Sequence, residues 1–223
     1  MRWSCVLMGV LASHGAHAAG ALRFLALGDS YTIGEGVAEG ERWPAQLVAR
    51  LRAEGLDLGH PRLVATTGWT TDELASAMQA QPLDPPYDLV SLGIGVNNQY
   101  RGRDAANYRS EFADLLDRAI ALAGGRPQRV LVVSIPDWGV TRFGAASGRD
   151  VAQIARELDA FNAINREESR RRHVHWADVC AASRRAGAAA EMLAEDGLHP
   201  SGRQYARWLD TLLPAARAAL SSP

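Results

Sequence analysis

Lysine is absent from the chain, so all 24 basic side chains are arginine. Without an ammonium group there is no Walker-type lysine to reach a nucleotide phosphate and no amine to form a Schiff base with a carbonyl substrate. Cysteine is scarce too. Of the two present, Cys5 lies in a leader-like N-terminus and Cys180 near the other end. A disulfide framework is therefore not expected, and with no neighbouring base Cys180 reads as a buried apolar filler. Excess charge is missing as well: 25 acidic side chains against 24 basic ones leave a net charge of −1. No global field favours nucleic acid or an anionic membrane, and the balance suits a small neutral substrate. No apolar run is long enough to span a bilayer. Nowhere does Gly-x-Ser-x-Gly occur, the turn on which α/β-hydrolases mount their nucleophile. No repeat, low-complexity tract or linker divides the chain, and a single-domain monomer is expected.

What is present is enough for one α/β domain. A chain of 223 residues buries roughly 70% of its unfolded surface on folding. Residues 1–18 read as an export signal: Arg2, an apolar stretch from Trp3 to Ala12, and the small-x-small site Ala16-His17-Ala18. Cleavage between Ala18 and Ala19 leaves 19–223 as the working domain, with a periplasmic or secreted address and no integral membrane segment. Apolar runs predict strands over 23–27, 62–65, 89–93, 130–134 and 173–176. Helical periodicity fills the intervals at 44–54, 72–80, 105–123 and 150–171, and again at 204–220. Strand and helix in alternation imply right-handed crossovers and a parallel sheet covered on both faces. Pro44 suits a first helical turn, and Thr70 with Glu73 has capping-box spacing.

Three short segments fall just after predicted strands, where such sheets bind ligands. They are Gly28-Asp29-Ser30-Tyr31, Gly68, and Gly95-Val96-Asn97-Asn98. A fourth, Asp196-Gly197-Leu198-His199-Pro200-Ser201, lies in a Gly- and Pro-containing loop. Ser30 is a candidate nucleophile at a strand-to-turn junction. Asp196 and His199 are three residues apart, close enough for the carboxylate to hold the Nδ1 proton while Nε2 faces Ser30. Gly68 lacks a Cβ and lets the backbone come close to a substrate.

These four segments, in this order, resemble the SGNH or GDSL family of esterases and lipases. The resemblance implies a three-layer α/β/α sandwich around a five-stranded, mainly parallel, flavodoxin-like sheet. It also implies cleavage of carboxylic esters through an acyl-Ser30 intermediate, with Asp196 and His199 completing the triad. Oxyanion donors would be the Ser30 N–H, the Gly68 N–H and the Asn97 side-chain amide. No cofactor and no metal are expected. One departure stands out: Asn98 occupies the position where this family usually has Asp, and a structural role is expected for it. An acyltransferase or carbohydrate deacetylase on the same site is the alternative, and a non-catalytic ligand-binding module a more distant one.

Other residues carry weaker signals. Trp138, Arg142 and Phe143 follow the fourth strand and are candidates to bind the substrate, the aromatics against an apolar group and Arg142 against a polar head. A groove with so little apolar surface favours short acyl groups. Tyr100, Arg101 and Arg103 are candidates to support Asn97. Asp29 reads as structural. His173 and His175 alternate along a predicted strand with Asp178 and Cys180 beyond, a pattern read as a strand face rather than a metal site. Arg170, Arg171 and Arg172 close a long helix, where positive charge complements the helix dipole.

Overall fold

A computed structural model describes residues 21–221; the proposed export signal and its cleavage point lie outside the described residues. Five strands form one sheet: β1 (Phe24–Gly28), β2 (Arg62–Ala65), β3 (Leu89–Gly93), β4 (Val130–Val133) and β5 (His175–Ala177). The order is β2-β1-β3-β4-β5, and every neighbouring pair is parallel. This is the flavodoxin-like order, in which the direction of winding reverses between β1 and β3. The register sets Leu27 between Val64 and Leu92, and Val132 between Leu92 and Trp176.

Helices cover both faces, so the central strands read as unbroken apolar runs instead of alternating ones. All of β1 and β4 is buried. One face carries α2 (Trp43–Ala53) and α9 (Gly202–Ser221), and the other carries α3 (Thr71–Ala80), α5 (Ala105–Leu122) and α7 (Val151–Arg171). In α9 the buried positions Tyr205, Trp208, Leu209, Leu212, Ala216 and Ala219 recur at the three- and four-residue spacing of a single helical face. Pro44 falls in the first turn of α2. The backbone N–H of Thr70 donates to the Glu73 carboxylate at 2.8 Å, one half of the expected capping box.

Among the described residues the remaining α-helices are short: α1 (Ser30–Ile33), α4 (Val96–Tyr100), α6 (Arg142–Ala146) and α8 (Cys180–Ala186). Each is too short to show a helical period in the sequence. One expectation is corrected in the last strand. It begins at His175, and His173 sits before it in a left-handed turn with φ of 57°, so the two histidines do not alternate along one strand. Among the described residues no three His, Cys, Asp or Glu side chains converge as metal ligands. Cys180 is buried, and that burial pushes its thiol up to about 12. Arg172 at the end of α7 bridges Asp117 and Glu168, tying α7 to α5. Among the described residues no helix is long and apolar enough to cross a membrane.

Candidate active site

The ends of β1, β2 and β3 open onto a pocket of about 230 Å³ at the switch point of the sheet. Ser30 is the first residue of α1 and is buried. Gly28 just before it packs so tightly that a Cβ there would lie 2.5 Å from the Gly93 carbonyl oxygen. Asp29 caps α1, its Oδ1 accepting from the Tyr31 N–H at 3.0 Å. Because Ser30 stands in the first turn, its own N–H has no carbonyl one turn back to bond. That leaves the donor available at the pocket floor.

Residues 196–199 are closed into a small loop by the Leu193–Pro200 bridge and by Ala194 N–H donating to the His199 carbonyl at 2.8 Å. Asp196 is exposed and His199 is buried. The carboxylate is held from three sides. Its Oδ2 lies 2.6 Å from His199 Nδ1, and its Oδ1 accepts from the Leu198 N–H at 2.8 Å and the His199 N–H at 3.0 Å. Partial burial alone pushes the Asp196 carboxyl up, but these hydrogen bonds outweigh it and hold the group below the ordinary carboxylate range. An ionised Asp196 can only accept, so the proton between them sits on Nδ1; in the neutral imidazole this makes Nε2 the acceptor. Nε2 is 2.9 Å from Ser30 Oγ. Tyr31 packs its ring against the His199 ring at 5.4 Å, restricting the imidazole's rotation. In the sequence Tyr31 is only a member of the Gly28-Asp29-Ser30-Tyr31 motif, with no signal of this contact.

Asn97 and Gly68 reach the pocket from α4 and from the turn after β2. Gly68 has φ of 87°, a left-handed conformation that a side chain would strain. Its turn is pinned to α4 and the residue after it. The Asn97 amide donates to the Trp69 carbonyl at 2.8 Å, and Arg101 donates to the Gly68 carbonyl at 2.7 Å. An amide nitrogen carries two hydrogens, so Asn97 keeps a second donor. Asn98 is fully buried and faces the other way: its Oδ1 accepts from the Thr71 N–H at 3.1 Å, and its Nδ2 donates to Thr71 Oγ1 at 2.6 Å. It ties α4 to α3 and does not line the pocket. Arg103 pairs with Asp72 and Glu111.

One wall of the pocket is apolar, built from Val96, Tyr100, Trp138, Phe143 and Leu198. Trp138 and Phe143 thus line the cavity, with ring centroids 6.0 Å apart. Arg142 does not: its exposed side chain lies over the 196–199 loop, where Gly197 leaves room for it. The Phe143 N–H donates to the Gly197 carbonyl at 3.0 Å and couples that loop to α6. Tyr100 contributes an aromatic face that the sequence reading placed only in a supporting role. Val96 and Leu198 sit inside the motifs, yet only the folded geometry turns them toward the pocket.

A family model described as the GDSL-like Lipase/Acylhydrolase family matches residues 26–207. No curated protein matches the chain. Among solved structures, TesA is 23% identical with a TM-score of 0.70, over 89% of this chain and 99% of that one. A variant of the acetyl xylan esterase Axe2 from Geobacillus stearothermophilus is 21% identical, with a TM-score of 0.66, over 87% and 94%. The lipase/acylhydrolase from Enterococcus faecalis is 19% identical, also at 0.66, over 89% and 95%. At these identities the likeness is one of fold.

Proposed function

The chain belongs to the GDSL-like lipase/acylhydrolase family and is an ester hydrolase, and from that premise we propose that it works through a covalent acyl-Ser30 intermediate. Ser30 Oγ attacks the ester carbonyl while His199 Nε2 removes its proton, and Asp196 stabilises the imidazolium that forms. Negative charge then develops on the carbonyl oxygen. Ser30 N–H, Gly68 N–H and the second hydrogen of the Asn97 amide receive it, a contribution of roughly 2.7 to 4 kcal/mol per donor in comparable sites. Collapse of the tetrahedral species breaks the ester C–O bond, and His199 returns the proton to the departing alcohol. Water enters, is deprotonated by the same imidazole and releases the acid, regenerating Ser30.

The observation that carries this reading is the unbroken chain of short contacts, 2.6 Å from Asp196 to His199 and 2.9 Å from His199 to Ser30. Every group in the scheme comes from one chain, so a monomer suffices. We further propose that residues 1–18 direct export and that 19–223 act outside the cytoplasm; N-terminal sequencing of the recovered protein checks this, and retention of Met1 refutes it. Ser30→Ala tests the chemistry. Activity on aryl and alkyl esters should fall roughly 10⁴- to 10⁶-fold with the melting temperature nearly unchanged. Near-normal turnover in the purified variant contradicts the mechanism.

A further inference from the structure

Behind the apolar wall runs a line of polar groups that touches neither Ser30 nor His199. It starts at Trp138, whose indole N–H donates to Gln99 Oε1 at 2.8 Å. Gln99 is buried, and its amide donates in turn to Glu157 Oε2 at 2.6 Å. Glu157 stands on α7 and is also bonded by Gln153 at 2.7 Å. The Arg149 guanidinium lies 3.5 Å from the same Glu157 oxygen and donates to the Tyr100 carbonyl at 3.2 Å. It also sits over both pocket rings, 5.3 Å from the Trp138 centroid and 5.6 Å from that of Tyr100. Those rings meet nearly edge to face at 5.4 Å, with an interplanar angle of 67°.

A leucine at position 99 would fill the same interior space without a desolvation penalty. The chain instead places an amide there, with its oxygen on one pocket ring and its nitrogen on a carboxylate of α7. Trp138 is thereby fixed in one orientation by a directional bond, while Arg149 anchors the Tyr100 backbone and holds its half-exposed ring against Trp138 through the cation–π contact alone. A wall made only of packed aromatics would let either ring change rotamer to fit a longer or broader substrate.

We propose that Gln99, Glu157 and Arg149 form a polar strut that determines which acyl groups the enzyme accepts, by holding Trp138 and Tyr100 as a rigid wall against the acyl chain. The proposal rests on the acyl-Ser30 reading. The three residues are positioning residues: they act through the two rings and do not touch the reacting atoms. Releasing the strut frees the rings and lets the pocket admit acyl groups that the closed wall excludes.

The test is an acyl series from acetyl to decanoyl on a common aryl leaving group, with kcat and KM measured separately. A second series varies the alcohol at fixed acetyl. Wild type, Arg149→Ala and Gln99→Leu, which removes the acceptor of the Trp138 indole, are compared, with melting temperatures recorded for all three and Ser30→Ala run in parallel. In both strut variants the ratio of kcat/KM between long and short acyl esters should rise by about tenfold, mainly through KM. Acetyl ester turnover should stay within about threefold of wild type. An unchanged ratio in the folded variants overturns the proposal. So does a shift confined to the alcohol series, or a parallel loss on all esters. If Ser30→Ala remains active, it is the acyl-serine reading that has failed, a result distinct from any failure of the strut.

Discussion

Asp29 and Asp196 approach Ser30 from opposite ends of the chain and live in opposite surroundings. Asp29 is its immediate neighbour, buried beneath α1, where desolvation raises its carboxyl to about 7 even though it accepts backbone hydrogen bonds. Asp196 is exposed on a loop, and hydrogen bonds from His199 and the loop backbone hold it below the usual range. The nearer acid in sequence is the one poorly placed to stay ionised. Environment separates a buried helix cap from an exposed carboxylate bonded to an imidazole here, as it separates paired carboxylates in other hydrolytic sites. A second contrast sits in α4, where Asn97 lines the pocket and Asn98 is consumed by Thr71.

Of the two acids, the larger effect belongs to Asp196→Asn. An amide at that position offers a donor toward Nδ1 and favours the wrong imidazole tautomer, so kcat should drop roughly 10⁴-fold. Steady-state kinetics on one aryl ester decides it, and a drop no larger than that of Asp29→Asn erases the contrast between the two acids. Within α4, Asn97→Ala should lower kcat by roughly 10²- to 10³-fold with a smaller change in KM. Asn98→Asp should change activity less than Asn97→Asp does, since its partners are Thr71 atoms and not substrate. Equal losses would place Asn98 in the pocket chemistry.

Of the two acids, the smaller effect on turnover, under about tenfold, is expected for Asp29→Asn, which preserves the Oδ1 acceptor of the cap. Its signature is in stability. An unfolded Asp loses its proton near pH 4, whereas folded Asp29 keeps it to about 7. Between those values the native state binds the extra proton, so this group makes stability fall as pH rises, by roughly 1.4 kcal/mol per unit across the window. Asp29→Asn removes that slope. Urea melts at mildly acidic and mildly alkaline pH should show the variant gaining on wild type as pH increases; a constant difference contradicts the buried-acid account.

The same difference in surroundings explains what could be read in advance. Apolar runs such as 89–93 and 130–134 identified strands because burial on both faces leaves no alternation to confuse the pattern. The motif around Ser30 and the three-residue spacing of Asp196 and His199 were legible because their geometry is local: a cap and a closed loop. The short helices α1, α4, α6 and α8 were not, since four to seven residues span at most two turns. His173 was misplaced because an apolar neighbour at Val174 extended the strand pattern across a left-handed turn. Arg142 falls outside the pocket lining, beside Gly197, because position along a loop does not say which side of it a long side chain covers. The strut was invisible for a stronger reason. Gln99, Trp138, Arg149 and Glu157 belong to four separate segments, and a buried glutamine has no sequence signature until its two partners are known.

Covalent acylation of Ser30, with His199 as base, is the step on which the proposed function stands. Reaction with a fluorophosphonate followed by peptide mass spectrometry tests it directly. A single phosphonyl adduct on the peptide containing Ser30, abolished in Ser30→Ala and strongly slowed in His199→Ala, is the predicted result. Adduct formation on another residue, or full inhibition of ester hydrolysis with Ser30 unmodified, would contradict it.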